Sequence, residues 1–424
     1  MRQRFKMIVV TAVAMMLSYG CAFQGLRQDL EVMAQLAEIS GSVVAVPDST
    51  SPIFVVLCKD GGGKQILHAY YLAYSSGAFR FLVPPGTYYL YAFEDKNEDA
   101  AFKSDERAGW YGAPSPLALG PGEVSGGITL KVHAPTDART EMPQLQASLF
   151  QVVRMEVWDS LVGVVVQLSD KRFSARYARK GLWEPIKFLA EPGSGIFFLE
   201  PYAAHKIPVL FVHGAGGYPQ QWGPIIDSLD RSRFQPWILH YPSGLRLGLL
   251  GEFLEKYLAE LQIRHRFDKL FIVAHSMGGL ISRCALNHNI ENRSTTFIKL
   301  LLTIATPWQG HPAATYGVEQ SPVVVPSWYD MAPESPFLKK LHETALPPEV
   351  EFDLLFGYRG KANRNGELSD GKVLLSSVLN YDMQEAAVQI YGFDEDHTSI
   401  LNSPAVAQRT NQLLANAAAS GEVH

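Results

Sequence analysis

A serine followed by two glycines ends an apolar run in FIVAHSMGGLISR, residues 271–283. The apolar run predicts a buried strand, and the apolar residues after the glycines have helical spacing. A strand–turn–helix of this kind can present a nucleophilic serine, because the sharp turn directs its hydroxyl outward. The common pattern is G-x-S-x-G, and Ala274 replaces the first glycine here. Two interpretations follow: Ser276 is a nucleophile, or it belongs to an ordinary glycine-rich turn.

Attack on a carbonyl carbon places negative charge on the carbonyl oxygen, so such a site also needs hydrogen-bond donors for that oxygen. The backbone N–H of Met277, directly after the serine, is one candidate. A second glycine-rich bend, VHGAGG at 212–217, follows an apolar run upstream. Alone this bend could be any strand-to-helix turn, but together with the serine it predicts an acyl-transfer site. We expect His213 in this bend to be structural.

The elements that must position these groups alternate between strands and helices from about residue 149 onward. The apolar runs IPVLFVHG, KLFIVAHS and KLLLTIATP predict strands buried on both faces of a parallel sheet. Residues 251–264 place their apolar side chains on one helical stripe. Right-handed crossovers would join these elements into a doubly wound, mostly parallel sheet, whose reactive groups collect at the carboxyl ends of strands. We predict a catalytic domain of this α/β class over residues 149–424.

Three motifs in the segment Pro208–Gly310 carry a family resemblance: PVLFVHGAGG, AHSMGG and TIATPWQG. The segment resembles the α/β-hydrolase superfamily, in particular its lipase and esterase branch, where some members have alanine at the position of Ala274. The resemblance extends from about Ile196 to the C-terminus. It implies an enzyme that cleaves carboxylic esters without a metal or organic cofactor. It also implies a serine, an acid and a histidine in that order along the chain.

The resemblance places the general base at His397, which follows the apolar strand AVQIYGF and precedes a last apolar helix. It places the acid at Asp370, whose D-G-x-V sequence resembles the acid motif of lipases. It further implies that the Ala215 N–H is the first oxyanion donor beside that of Met277. Other acids and histidines are weaker candidates. Asp353 lies within a predicted strand, Asp330 and His342 lie in the segment 310–348, and Asp394 and Asp396 are too close to His397 in sequence. His288 is expected on the surface, His311 follows TPWQG and could line the mouth of the pocket, and His424 ends the chain.

The segment 310–348 combines prolines with apolar side chains between TPWQG and the next predicted strand. It is either a lid over an acyl pocket or a cap packed permanently on the core. In both cases an apolar lining favours a medium or long acyl chain over a charged substrate. The predicted substrate-binding residues are Trp308, Trp328, Tyr329 and Phe337.

The N-terminal region has short β-type runs separated by turn clusters, which predicts a small all-β sandwich over residues 41–133 and a linker over 134–148. The stretch FRFLVPPGTYYLYAFEDKNEDAAFKSDERAGWYG resembles bacterial extracellular sandwich modules. Asp95, Asn97, Asp99 and Glu106 match four positions of a calcium loop, but Ala100 occupies the position that needs glycine. We therefore expect a solvated acidic turn and no metal.

The chain begins like an export signal, with three basic residues up to Lys6 before an uncharged apolar run. This run is shorter than the roughly 20 apolar residues that span a bilayer. The tail LSYGC resembles the bacterial lipoprotein signal. We predict a signal peptide at 1–20, lipidation of Cys21, a tether over 21–40, and a cell-envelope protein anchored to the membrane. Secretion as a soluble protein is the alternative.

Composition limits the remaining functions. Of 424 residues, 47% are hydrophobic and 19% are charged, with a formal net charge of −5. No basic surface is indicated, so we expect no nucleic-acid partner. The sequence therefore predicts a serine hydrolase acting on acyl or lipid esters. The alternatives are an acyltransferase or phospholipase with the same three residues, and an inert hydrolase-fold protein that binds at the cell surface.

Overall fold

The computed structural model describes residues 22–44, 51–62, 65–74, 77–112, 115–133, 161–292, 296–362 and 366–420. The predicted signal peptide, Cys21, the predicted linker at 134–148 and His424 lie outside these ranges. Within the described ranges, no helix is both long and apolar enough to cross a membrane.

Two small β-sheets form the N-terminal part of the structure. Their strands are β1 (Ala37–Val44), β2 (Pro52–Asp60), β3 (Gln65–Tyr74), β4 (Gly77–Val83), β5 (Gly86–Glu94), β6 (Ala108–Tyr111), β7 (Leu117–Leu119) and β8 (Val124–Lys131). One sheet has the order β4-β1-β8, and the other has the order β3-β2-β5-β6 with β7 paired to β5. The strand pairs are antiparallel except β1–β8, which is parallel.

The two sheets face each other across a shared apolar core. In β4, Phe79, Phe81 and Val83 are buried while the residues between them are partly exposed, as expected for a strand with one face inward. These side chains join Val55 of β2 and Leu90 of β5 in one cluster. The predicted N-terminal sandwich is therefore present.

A helix over 22–35, here α1, precedes the sandwich in the segment that was predicted as a tether. Its buried Asp29 accepts a hydrogen bond at 2.7 Å from the N–H of Ile186, which lies in the α/β part of the chain. Phe23 packs edge-on against Trp183, with ring centroids 5.5 Å apart. The described part of the tether segment is thus docked on the body.

Eight strands form the central sheet, in the order β16-β15-β14-β13-β11-β12-β10-β9. The strands are β9 (Val164–Val165), β10 (Gly195–Phe198), β11 (Ile207–Val212), β12 (Phe234–His240), β13 (Leu270–His275), β14 (Ile298–Ile304), β15 (Glu351–Gly357) and β16 (Gln389–Phe393). The β10–β12 pair is antiparallel and the other neighbours are parallel.

Helices cover both faces of this sheet. They are α2 (Ala175–Trp183), α3 (Pro185–Ala190), α4 (Gly223–Asp227), α5 (Leu247–His265), α6 (Met277–Asn292), α7 (Pro312–Gln320), α8 (Pro326–Met331), α9 (Pro336–Glu343), α10 (Leu375–Val378), α11 (Tyr381–Ala386) and α12 (Pro404–Ser420). Single 3₁₀ turns lie at Lys171–Phe173, Pro219–Trp222 and Ser399–Asn402.

Alternate residues of β13 enter two different cores, which explains its continuous apolar sequence. Ile272 packs in the cluster that contains Leu258 of α5, whereas Phe271 and Val273 pack in the cluster that contains Leu413 of α12. Both faces of the strand are therefore buried, as parallel sheets require. The predicted fold class is confirmed: a doubly wound, mostly parallel α/β sheet preceded by a small β-sandwich.

The sandwich packs on α5 of the α/β part of the chain. Ala259 and Ile263 of α5 lie in one apolar cluster with Phe54 and other sandwich residues. At the edge of this cluster, the Tyr70 hydroxyl donates a hydrogen bond to the buried carboxylate of Glu260. Arg264 of the same helix also pairs with this carboxylate, and the bond from Tyr70 adds a polar link between the two parts of the chain.

The segment 310–348 forms α7, α8 and α9 and is bonded to the body at several places. Buried Asp330 accepts hydrogen bonds from the Arg246 guanidinium and, at 2.6 Å, from the Leu247 N–H at the start of α5. After α9, the Thr344 carbonyl accepts a hydrogen bond from Arg283, which is fully buried on α6. These contacts join the segment, here called the cap, to the body; the choice between a lid and a permanent cap stays a prediction.

The acidic loop within 95–106 bonds mainly to itself. Asp95 accepts the N–H groups of Asp99 and Ala100 at 3.1 and 2.7 Å, and Glu106 accepts two other loop N–H groups at 3.0 and 2.8 Å. Both carboxylates therefore stabilise the turn itself. Among the residues described, no group of three His, Cys, Asp or Glu is arranged to hold a metal ion.

Candidate active site

Ser276 occupies the sharp turn between β13 and α6. Its φ of +54° lies in the left-handed region that residues other than glycine rarely adopt. The turn is held because the Ser276 N–H donates to the Ile304 carbonyl of β14 at 2.8 Å. An added Cβ at Gly278 would lie 2.5 Å from a backbone oxygen of β11, so glycine is required there. The methyl group of Ala274 is fully buried in the core, which accommodates it.

His397 lies between Ser276 and Asp370. Its Nε2 is 3.0 Å from the serine Oγ, and its Nδ1 is 2.6 Å from Oδ2 of Asp370. A carboxylate oxygen accepts the Nδ1 proton, which leaves Nε2 free to accept the serine proton. The other carboxylate oxygen accepts the N–H groups of Lys372 and Val373 at 3.0 and 2.7 Å. The structure thus places the three predicted side chains in one hydrogen-bonded series; their catalytic role stays a prediction.

The acid and the histidine come from the two loops that follow β15 and β16. Both loops leave the carboxyl ends of parallel strands and meet there, where side chains from different strands converge. The His397 N–H donates to the Asp370 carbonyl at 2.8 Å, which ties the loops together. An added Cβ at Gly360 would lie 2.1 Å from the Ser369 carbonyl oxygen, so glycine permits the close approach.

The glycine-rich bend after β11 touches the serine. An added Cβ at Gly214 would lie 2.8 Å from Cβ of Ser276, so the two backbones are in close contact. The Gly214 carbonyl accepts hydrogen bonds from His213 Nδ1 and from the Gly217 N–H, both at 3.0 Å. Because a peptide group is planar and trans, these bonds also fix the direction of the Ala215 N–H.

The second predicted donor is at the start of a helix. Met277 is the first residue of α6, and the first N–H groups of a helix have no partner within it. The two predicted oxyanion donors thus belong to different segments: Ala215 to the bend after β11, and Met277 to the helix that follows Ser276. Their role in stabilising an oxyanion stays a prediction.

Three histidines near the serine are buried and neutral. Burial lowers the pKa of His213 to about 4 and lowers the pKa of His240 and of His275 well below the usual value. Tyr241 stacks on His213 with ring centroids 4.2 Å apart, and its hydroxyl donates to the His213 carbonyl. His213 therefore makes its contacts within the framework of the bend.

His275 was not assigned a role from the sequence. It precedes Ser276 directly, and its Nε2 lies 2.9 Å from the His397 carbonyl oxygen. Its position beside the serine was the only signal in the sequence, and that signal names no partner. The contact joins residues that are far apart along the chain, so only the fold brings it about.

The predicted substrate-binding aromatics have different surroundings. Trp308 is fully buried, whereas Tyr329 is 45% exposed. Trp328 is partly buried and packs edge-on against Trp183 of α2, with ring centroids 5.8 Å apart. Phe337 is also partly buried. The exposed side-chain surface of these four aromatic residues therefore lies on the cap. Their role in substrate binding stays a prediction.

Three of the other candidate acids and histidines have partners of their own. Asp330 binds Arg246, as described above, and His342 Nε2 donates to the Trp308 carbonyl at 2.9 Å. His311 Nδ1 accepts the N–H at the second position after it, at 3.1 Å, and so caps α7. These contacts give the cap and its neighbours structural roles.

Comparison with known proteins gives the following similarities. The sequence model of the PGAP1-like alpha/beta domain matches residues 249–319, which include Ser276. No curated protein sequence matches the chain. The mature form of the Bacillus licheniformis lipase BlEst2 is similar over 52% of this chain and 97% of its own, at 17% identity and a TM-score of 0.41.

Two further solved structures are similar to about half of the chain or less. Aspergillus fumigatus lipase B matches over 51% of this chain and 54% of its own, at 15% identity and a TM-score of 0.38. Phospholipase PlaB of Legionella pneumophila, in complex with thio-NAD, matches over 41% and 44%, at 16% identity and a TM-score of 0.35. At these values the activity of this chain has to be inferred from its own side chains.

Replacing His240 by phenylalanine should stabilise the protein more at pH 5 than at pH 8. The ring packs among Phe173, Phe188 and Phe197, so an apolar ring suits the site. The folded pKa lies well below the unfolded value of 6.5, so unfolding takes up a proton as the pH falls below 6.5. The histidine thus destabilises the fold increasingly in acid, by about 2 kcal/mol at pH 5, and phenylalanine removes this cost.

Urea unfolding at the two pH values measures this difference. His205→Gln, at an exposed histidine, serves as the control. A gain from His240→Phe that is the same at both pH values would contradict the assignment of a buried, neutral His240.

Proposed function

We propose that the chain is a serine hydrolase that cleaves carboxylic esters of lipids or other acyl compounds through an acyl-enzyme intermediate. One observation carries the proposal: His397 Nε2 is 3.0 Å from Ser276 Oγ while its Nδ1 is 2.6 Å from Asp370. This geometry supports Ser276, which is held at a positive φ, as the nucleophile, with His397 as its base and Asp370 as the acid.

The reaction begins with the Ser276 hydroxyl, which is hardly ionised at neutral pH when alone. His397 accepts its proton at Nε2 while Oγ attacks the ester carbonyl carbon. Asp370 holds the imidazole in the Nδ1–H form and stabilises the imidazolium that results. The N–H groups of Ala215 and Met277 stabilise the charge on the carbonyl oxygen.

The attack produces a tetrahedral intermediate, and the collapse of this intermediate completes the first half of the reaction. His397 returns its proton to the leaving alcohol, and the acyl group stays on Ser276 as an ester. His397 then takes a proton from water, which attacks the acyl-enzyme, and the serine is restored as the acid leaves. Because Ser276, His397 and Asp370 are 9%, 6% and 0% exposed, the charges formed here interact more strongly than they would in water.

The acyl group is proposed to be of medium or long chain. This follows from the apolar and aromatic side chains of the cap, of which Trp328, Tyr329 and Phe337 keep some exposed surface. Transfer of the acyl group to an alcohol other than water, and cleavage of a phospholipid, use the same residues. Identification of the products formed from a phospholipid, and from a p-nitrophenyl ester in the presence of an added alcohol, separates these outcomes.

Ser276→Ala should abolish covalent labelling by a fluorophosphonate and lower hydrolysis of p-nitrophenyl esters on the order of 10⁵-fold, because the attacking oxygen is removed. The measurement uses the purified chain with esters of increasing acyl length, and rising activity from acetyl to octanoyl is expected. Ser232→Ala, at an exposed serine bonded to Asp230, is the matched control and should label normally.

Labelling that persists in the Ser276→Ala protein would exclude this serine as the nucleophile. A wild-type protein that neither labels nor hydrolyses any ester would favour the inert binding protein instead. Activity confined to acetyl esters would exclude a lipid substrate.

Asp370→Asn should lower kcat by about 10³- to 10⁴-fold with the fold intact, because the amide no longer holds the histidine in the Nδ1–H form. The matched control is Asp394→Asn, an exposed aspartate in the loop that also carries His397. Steady-state kinetics and circular dichroism of both variants provide the measurement. A kcat close to that of the wild type in Asp370→Asn would assign the acid to another residue.

We also propose that the protein is anchored in the cell envelope by a lipid on Cys21, on the strength of the sequence LSYGC. Radiolabelled palmitate should enter the wild type and fail to enter Cys21→Ser when both are produced in a bacterium that processes lipoproteins. Cys58→Ser, at a cysteine buried in the sandwich, is the control and should incorporate the label. A wild type without label would point to secretion as a soluble protein.

A further inference from the structure

We propose that His275 is a positioning residue, which holds the backbone of His397 and thereby keeps the base in line with Ser276. This inference rests on the proposed function, because it assigns a task to His275 within the same site. It concerns a residue that contacts the base and not the reacting atoms.

The contact is a hydrogen bond from a ring to a backbone carbonyl. Nε2 of His275 is 2.9 Å from the His397 carbonyl oxygen, and His275 is buried at the end of β13. A carbonyl oxygen can only accept, so Nε2 of His275 carries the proton and donates it. The rings of the two histidines also pack together, with centroids 4.7 Å apart and planes tilted by 46°.

This bond completes the support of His397. The backbone N–H of His397 donates to the Asp370 carbonyl at 2.8 Å, and its Nδ1 contacts the Asp370 carboxylate. Both of these bonds lead to the loop that carries the acid. The bond from His275 is different, because it fixes the other end of the His397 backbone unit to the strand that carries the nucleophile.

The coupling is tight because His275 and Ser276 are neighbours in sequence. The peptide that leads into the nucleophile thus also carries the donor that holds the base, and a shift of one residue carries the other with it. Reacting groups misplaced by about 1 Å can cost about 100-fold in rate. A bond that fixes the base to the nucleophile's own backbone therefore has a direct effect on turnover.

The neutral state of His275 suits this role. Burial, followed by the nearby His397, keeps its pKa well below the usual value. A neutral ring donates the hydrogen bond without placing a positive charge beside His397. A charged ring in its place would oppose formation of the imidazolium on the base.

The test compares His275→Met, which is similar in size and has no donor, with His275→Gln, whose side-chain amide can donate. In the full chain, His275→Met should lower kcat for a p-nitrophenyl ester by about 10- to 100-fold with KM within about twofold. His275→Gln should recover kcat to within about fivefold of the wild type. If the Met variant does not fold, His275→Leu, which also has no donor, takes its place.

A second readout does not depend on turnover. The proton that His397 Nδ1 shares with Asp370 should give a low-field ¹H resonance, identified by its loss in His397→Gln. This resonance should shift or broaden in His275→Met and stay close to the wild-type position in His275→Gln. A role in packing alone would leave the resonance in place in both variants.

The two readouts separate the possible failures. Equal kcat values in the Met and Gln variants, or a fall in kcat with an unshifted resonance in the Met variant, overturn the positioning role. If the wild type hydrolyses no ester, the proposed function fails, and the resonance alone decides whether His275 positions His397.

Discussion

Ser276, His397 and Asp370 belong to three segments that are distant in sequence. The hydrogen bond between Ser276 and His397 forms because these segments meet at one edge of the central sheet. The serine Oγ and the histidine Nε2 are 3.0 Å apart although 121 positions separate them along the chain. Such a distance tolerates little error, since reacting groups must be placed to within a fraction of an ångström. The rest of the α/β part of the chain acts as the support that keeps this distance short.

The support is built from backbone bonds on each side of the contact. The strained turn at Ser276 is held by the neighbouring strand β14, and the loop of His397 is held by the loop of Asp370. Strain of about 1–3 kcal/mol at one residue persists only where its surroundings leave no alternative conformation. Glycines at 214, 278 and 360 permit the close backbone approaches, since a Cβ at each would meet an atom at less than 3.0 Å.

Helix α5 connects the site to the remainder of the molecule. Its N-terminus is capped by Asp330 of the cap, its middle packs on the sandwich through Ala259 and Glu260, and it lies in the same apolar core as α6, which follows the serine. The cap and the sandwich, which look like separate additions in the sequence, therefore bear on one helix.

The sequence by itself determined the fold class and the position of the serine, because both depend on local patterns. Apolar runs buried on two faces, one amphipathic helix and a serine before two glycines are readable over a few residues each. The assignments of Asp370 and His397 needed a family resemblance as well, since a D-G-x-V motif and a histidine after a strand are common. The sequence also showed the cap as a segment, but not that Asp330 and Arg283 bond it to α5 and α6.

Only the tertiary structure decided which of these groups meet. The bond from His275 to His397, the contact of Gly214 with Ser276 and the cap bonds join positions that are remote in sequence, and local periodicity holds no information about them. Such contacts follow from the order of strands in the sheet, which brings the carboxyl ends of β11, β13, β15 and β16 to one edge. The residue types that can do chemistry are thus local properties of the chain, whereas the distances that let them act together are properties of the fold.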